Sequence, residues 1–311
     1  MIISVSMNPS IDKIIYLSKL NKKITNRVES SSETAGGKGI NVANVLSVFT
    51  KDLVLTGFCG NSNSEIIDAC SETLKSKGVI VDYVKVDGRN RTNMKIIESD
   101  GSLTEINESG FPVTIANVCE LREKLYKYAK PGNIFILMGS LPKGVDKHIY
   151  ADITKDLKAH GATVFVDTSG EALKYAIEER PDMIKPNQEE LLELFDERNV
   201  SEKTLIKMAT ELCEKGIGTV IVSRGSLGSL FVRKDKVLRC DSIPVKVRSS
   251  VGAGDAMTAC FAYATSIDLE FEECAELCVA AASHTVTLDE SSLSDRDEVE
   301  KLVDSVKMTV L

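Results

Sequence analysis

The chain of 311 residues contains no tryptophan, only three histidines and seven prolines, and 5% aromatic residues. Scarce histidine, and eight cysteines that never form a CxxC pair, leave a zinc or iron–sulfur centre without its usual ligand spacing. Cys274 and Cys278 share a helical face, but reduced thiols in a cytoplasmic protein account for the cysteines more simply. No apolar run comes near the ~20 residues that a membrane-spanning helix needs. The first seven residues, Met1 to Met7, lack the basic start of a signal peptide and read as a strand. Positive charge is in deficit: 38 Lys and Arg against 46 Asp and Glu give a net charge of -8, which argues against a nucleic-acid surface. Internal repeats and low-complexity tracts are absent. A protein of this balance that handles anions must concentrate its cations locally.

What is present is regular in its order. Apolar runs at 2–6, 53–58, 79–86, 133–138, 163–167, 183–185 and 219–223 read as strands. Between them, 39–49, 64–77, 115–128, 146–160, 171–179, 188–195 and 202–215 read as helices. Short, wholly apolar strands alternating with helices predict an α/β fold with a parallel sheet covered on both faces. Ligands in such folds bind at the carboxyl ends of the strands. An extended segment at 243–247 and a helix from about 256 follow, and 291–311 reads as a charged surface helix and tail. Two stretches, 13–32 and 83–110, break the rhythm with alternating polar and β-branched residues. The second carries the hairpin signal Asp100-Gly101. Both are expected to build a small accessory sheet whose apolar face covers a ligand cleft or a second subunit.

The stretch from Arg248 to Met257 holds the most chemistry: Gly252 and Gly254 bracket Ala253, and Asp255 follows at the start of a helix. Unpaired amides and the positive end of a helix dipole make such a loop an anion site, for phosphate above all. Asp255 there is either a base for an attacking hydroxyl or a helix cap. Asp12, just after the first strand, is placed to hold a polyol or to close a local turn. Gly37, Lys38 and Asn41, in Ala35-Gly36-Gly37-Lys38-Gly39-Ile40-Asn41, open a helix as a second anion or sugar site, or else form a flexible loop. The GxxxxGK[ST] spacing of a Walker loop is missing, as are a third glycine after Gly254 and the HRD and DFG motifs of protein kinases. Ser140 follows the strand at 133–138 and faces the same edge. Asn187 and Glu190, three apart, either order Mg²⁺ through water or form a capping box. Ser223, Gly225, Ser226 and Gly228 end another strand and suit a nucleotide, or a plain hairpin turn.

Four of these motifs occur in order along nearly the whole chain: Gly-Gly-Lys-Gly-x-Asn at 36–41, Gly-Ser-Leu-Pro at 139–142, Lys-Pro-Asn-x-x-Glu at 185–190 and Gly-Ala-Gly-Asp at 252–255. Together they resemble the PfkB, or ribokinase-like, carbohydrate kinases. Residues 8–12 with 37–39 are similar to the phosphosugar branch, 1-phosphofructokinase and tagatose-6-phosphate kinase, and 88–95 with 104–107 stand closer to the first. The resemblance implies a Rossmann-like αβα sandwich, a single domain over 1–311 with a β-sheet lid from the two insertions, and a homodimer through that lid. It implies ATP-dependent phosphorylation of a phosphosugar, fructose 1-phosphate to fructose 1,6-bisphosphate, with tagatose 6-phosphate the alternative substrate. A silent sugar-phosphate-binding regulator is the non-enzyme alternative. By matching position, Asp255 would be the base, with Gly252, Ala253 and Gly254 the anion hole. Asp12, Gly37, Lys38, Asn41 and Ser140 would grip the sugar, with Arg91 and Arg27 on its phosphate. Lys185, Asn187, Ser223, Gly225, Ser226, Gly228 and Gly254 would lie along ATP, and Asn187 and Glu190 would order Mg²⁺. Ser250 stands where many relatives carry threonine beside a monovalent-cation site, which leaves K⁺ dependence open.

Overall fold

The computed structural model describes residues 1–288 and 294–311. From its start the chain forms β1 (Ile2–Ser6), β2 (Ser10–Leu17), β3 (Ser30–Gly36), α1 (Lys38–Leu46), β4 (Leu53–Ser62), α2 (Glu65–Ser76), β5 (Ile80–Arg89), β6 (Arg91–Glu98) and β7 (Leu103–Asn107). It continues through α3 (Ile115–Tyr126), β8 (Ile134–Met138), α4 (Ile149–Ala159), β9 (Thr163–Asp167), α5 (Gly170–Glu178), β10 (Met183–Ile184), α6 (Gln188–Leu194), α7 (Glu202–Glu214) and β11 (Thr219–Ser223). The last part holds β12 (Ser229–Arg233), β13 (Lys236–Cys240), α8 (Ala253–Ser266), α9 (Phe271–Thr285), α10 (Arg296–Val303) and β14 (Met308–Val310).

Ten strands make one sheet in the order β14-β13-β12-β11-β10-β9-β8-β1-β4-β5. From β5 to β11 the neighbours are parallel. These strands are apolar throughout because both faces are covered. In β8, Ile134 and Ile136 point into one core layer, where Ile40, Phe261 and Leu277 also lie. Phe135 and Leu137 point into the other, with Leu121, Tyr150 and Leu212. The period of two along the strand thus feeds two cores at once, and each fully buried side chain contributes about 1.5–3 kcal/mol relative to exposure.

The sheet departs from the expected all-parallel arrangement at one end, where β12, β13 and β14 are antiparallel. The connections at 224–228 and 234–235 are too short for a crossover, so only hairpins are open to them. Segment 243–247 pairs with nothing as a strand. Pro244 has no N–H to give a ladder there. The helix expected from about 256 begins three residues earlier, at Ala253. The C-terminal tail is not loose: α10 buries Val299, and β14 joins the sheet beside β13. The start of that segment, at 291–293, lies outside the described residues.

The second sheet has the order β3-β2-β6-β7, with β2 and β6 parallel and the outer pairs antiparallel. It begins earlier than expected, at Ser10, and runs to Gly36, whereas β5 at 80–89 belongs to the large sheet. The chain passes from β5 to β6 at Asn90, which is 1% exposed. Its side chain accepts from Gly60 N–H at 2.9 Å, and its own N–H donates to Asn63 at 2.9 Å, so the transfer between sheets is pinned. On the small sheet Tyr16 and Leu103 are exposed on one face and Ile106 on the other. Among the described residues no helix is long and apolar enough to cross a membrane.

Candidate active site

The centre of the site is the start of α8. Gly252 is its N-cap at φ 80°, a left-handed conformation that glycine adopts without strain. The helix's first turn closes from Ala256 N–H to the Gly252 carbonyl at 2.8 Å. The amides of Ala253, Gly254 and Asp255 are therefore left without an intrahelical acceptor, as at any helix start. Because the helix begins at Ala253, Asp255 sits inside the first turn and does not cap it. Its carboxylate, 7% exposed, accepts instead from Asn41 Nδ2 at 2.7 Å, an amide carried on α1. Burial raises the Asp255 pKa above the ordinary aspartate value. Lys38 and Lys185 pull it back and Asp167 pushes it up further, with the net shift upward. A carboxylate held this way binds a proton more readily than one in water.

Lys38, the first residue of α1, reaches Asp167 with its ammonium. Burial works against the Lys38 charge, yet Asp167 and then Asp255 outweigh it and hold its pKa above the usual value. Asp167 ends β9 and is fully buried. It also accepts from Thr258 Oγ1 at 2.9 Å and pairs with Lys185 Nζ at 3.3 Å. Burial alone would raise its pKa, but Lys185 and Lys38 bring it down to about 2. Lys185 follows β10 and is 5% exposed. A Cβ on Gly254 would stand 2.9 Å from its Nζ, so the helix start lies directly against that ammonium.

On one side of Asp255 are the residues expected to grip a sugar. Gly37 caps α1. Asp12, on β2, is buried and accepts from Ser10 Oγ at 2.7 Å and Asn93 Nδ2 at 3.2 Å, with Lys95 Nζ at 3.4 Å. Arg91 opens β6 and donates through Nε to the Asn8 carbonyl at 3.1 Å, with no carboxylate at ion-pair distance among the described residues. Ser140 is exposed just beyond β8 and accepts from Asn8 Nδ2 at 3.4 Å. Arg27 is not brought in: it lies exposed between β2 and β3, and no side-chain contact among the described residues ties it to the cluster.

On the other side is a cavity of about 560 Å³, of a size that suits a small ligand. Ser223, Gly225, Ser226, Gly228, Ala253 and Gly254 line it. The hairpin reading of 223–228 and the binding reading are thus compatible, since β11 and β12 form the hairpin whose turn faces the cavity. Its apolar wall comes from the unpaired 243–247 strip and from Val279 and Val286. Lys185 stands behind this cavity and does not line it. Asn187 and Glu190 form a reciprocal capping box at the start of α6, Glu190 N–H donating to Asn187 Oδ1 and Asn187 N–H to Glu190 Oε2, each at 2.8 Å.

A protein-only metal cage is not built: among the described residues no three His, Cys, Asp or Glu side chains stand together to hold an ion. A Mg²⁺ that keeps most of its water and shares phosphate oxygens needs only one or two protein oxygens. The capping box leaves Glu190 Oε1 outside its two hydrogen bonds, and so fits that looser role.

Sequence reasoning missed Asp167, Thr258 and Asn8. Asp167 ends an expected strand at the expected edge, and that position was its only signal. Asn8 Oδ1 is buried without a partner beside Arg91 and Ser140, a relation that only the folded chain makes visible.

The model of the pfkB family carbohydrate kinases matches residues 5–297. The 1-phosphofructokinase of Vibrio cholerae is 29% identical over 310 residues, covering 100% of this chain and 97% of that protein. The tagatose-6-phosphate kinase of Staphylococcus epidermidis is 33% identical over 262 residues, 83% of each chain. The phosphofructokinase-2 from Escherichia coli, solved in complex with substrates and products, superposes with a TM-score of 0.89 at 25% identity over 98% of both chains.

Proposed function

Since the chain belongs to the pfkB family of carbohydrate kinases, we propose that it moves the γ-phosphoryl group of ATP onto the C6 hydroxyl of fructose 1-phosphate, giving fructose 1,6-bisphosphate. The chain is a sugar-phosphate kinase, and its relatives include both 1-phosphofructokinases and tagatose-6-phosphate kinases. One observation carries the reaction: a buried carboxylate of raised proton affinity, Asp255, stands in the first turn of α8 directly after the cavity-lining Ala253 and Gly254, and is bonded to Asn41 at the start of α1.

In this reading Asp255 takes the proton of the attacking hydroxyl as its oxygen bonds to the γ-phosphorus. The bond to the β–γ bridging oxygen breaks, ADP leaves, and the proton passes later to solvent. The amides of the 252–254 loop, of which those of Ala253 and Gly254 lack an intrahelical acceptor, receive the charge on the transferring group, and Lys38 and Lys185 supply positive potential beside it. Phosphoryl transfer depends mainly on such positioning and charge compensation. ATP occupies the cavity along Ser223, Gly225, Ser226 and Gly228. Asn187 and Glu190 would hold Mg²⁺ through water, and the ion would supply further neutralisation of the phosphates. Asp12, Gly37, Asn41 and Ser140 hold the sugar, and Arg91 holds its existing phosphate.

The exposed apolar side chains of the small sheet, Tyr16 and Leu103 on one face and Ile106 on the other, suit a lid that pairs with a second copy of the chain, in a cytoplasmic homodimer. Arg27 then acts from that lid.

A coupled ADP-release assay against fructose 1-phosphate, tagatose 6-phosphate and fructose 6-phosphate, run with and without K⁺, tests the reading. The highest kcat/KM is expected with fructose 1-phosphate. Preference for tagatose 6-phosphate would move the substrate assignment to that branch. Calorimetric binding of phosphosugar without any ADP release would mark a silent binding protein.

A further inference from the structure

Four separate elements meet on the carboxylate of Asp167, and the phosphoryl-transfer steps above give it no task. The residue itself ends β9. Lys38 comes from the start of α1, Lys185 from the end of β10, and Thr258 from the second turn of α8. The side chain has no exposed surface.

We propose that Asp167 is a positioning residue of the phosphoryl-transfer site: it fixes the ammonium groups of Lys38 and Lys185 at the start of α8 and sets the charge around Asp255. The proposal rests on the reading of Asp255 as the base.

A lysine ammonium is a point charge on a flexible four-carbon stem, so it holds a fixed place only if a partner holds it there. Here one carboxylate serves two ammonium groups, using Oδ1 for Lys38 and Oδ2 for Lys185. The cluster keeps one net positive charge where two bare lysines would carry two. Thr258 Oγ1 ties the same carboxylate to α8, and also reaches the Gly254 carbonyl at 3.2 Å. The helix start and the two cations are thereby referred to a single rigid point on the sheet edge. The groups facing Asp255 are Lys38 and Asn41 from α1, Asp167 from β9 and Lys185 after β10. Of these, only Asp167 pushes the Asp255 proton affinity up, while both lysines lower it. Without Asp167 the lysines would act on Asp255 unopposed and make it a weaker base.

The test compares kcat–pH profiles of the wild type, Asp255→Asn and Asp167→Asn with saturating ATP and fructose 1-phosphate, or whichever phosphosugar the substrate panel selects. The wild type should show an acid limb, and Asp255→Asn should lack it; failure here sinks the base assignment and not the positioning role. Given that limb, Asp167→Asn should lower kcat by about 10²-fold, the cost of a small misplacement of reacting groups, and move the limb to lower pH. A purely structural residue would reduce the folded fraction and leave the limb in place, and that result overturns the proposal. If circular dichroism shows Asp167→Asn unfolded, Asp167→Glu decides. It keeps the charge but displaces it by one methylene, so kcat should fall about 10-fold with the limb at its wild-type position. Wild-type kcat in Asp167→Glu would overturn the positioning role.

Discussion

Asp167, at the end of β9, and Asp255, in the first turn of α8, are both buried at the same end of the large sheet, 0% and 7% exposed. Asp167 is surrounded by two ammonium groups and a hydroxyl, and its pKa is brought down to about 2. Asp255 has one amide donor, its lysines are shared with Asp167, and burial leaves its pKa raised. Burial of a carboxylate therefore does not define its task; the number of partners does. Where charge is compensated the residue holds structure, and where it is left short the residue is kept ready for a proton. The same contrast recurs among the cations: Lys95 is paired with Asp12, whereas Arg91 has no carboxylate at ion-pair distance among the described residues.

The largest effect expected from this contrast is a difference of sign in stability. Asp167→Asn breaks a buried ionic cluster and should cost about 3–5 kcal/mol in urea unfolding at neutral pH. A carboxyl with a depressed native pKa gives stability that is present above the unfolded value, near 3.8, and lost as pH falls towards about 2. The acid decline of stability should therefore be shallower in Asp167→Asn. Asp255 runs the other way. Its raised native pKa favours the folded state only while the group is protonated, and that contribution disappears as pH rises through the folded pKa. Asp255→Asn should therefore leave the protein as stable as the wild type at neutral pH or raise stability by about 0.5–2 kcal/mol. Equal losses in both variants would end the comparison.

A smaller effect sharpens it for the cations. Arg91→Ala should chiefly raise KM for the phosphosugar, with kcat little changed, because the phosphate it would hold does not react. Steady-state kinetics check this, and an unchanged KM with lowered kcat would place Arg91 on the wrong side of the contrast.

Much of the fold is legible in the sequence because the strands are short, apolar on both faces and separated by helices of ordinary length. The hairpin end of the large sheet is less so, since β12 and β13 carry the same kind of apolar run as parallel strands and only their short connections set them apart. The extended run at 243–247 carries a strand's composition, but Pro244 leaves it unpaired as a cavity wall. Individual site residues were visible wherever glycine marked the backbone, at 37 and at 252–254. The contacts among them were not: Asn41, itself legible beside Gly37, stands 214 positions from Asp255 along the chain, and Thr258 stands 91 from Asp167. No local pattern can announce a contact of that separation. Asn187 and Glu190 are the reverse case, where the sequence offered a capping box and a metal role together, and the box is formed.

If Asp255 is the proton acceptor, the turnover of Asp255→Asn at neutral pH, with ATP affinity followed by calorimetry, must show it. kcat is expected to fall by about 10² to 10⁴, the usual worth of a general base, while ATP binds as in the wild type. A variant that turns over at the wild-type rate would contradict it.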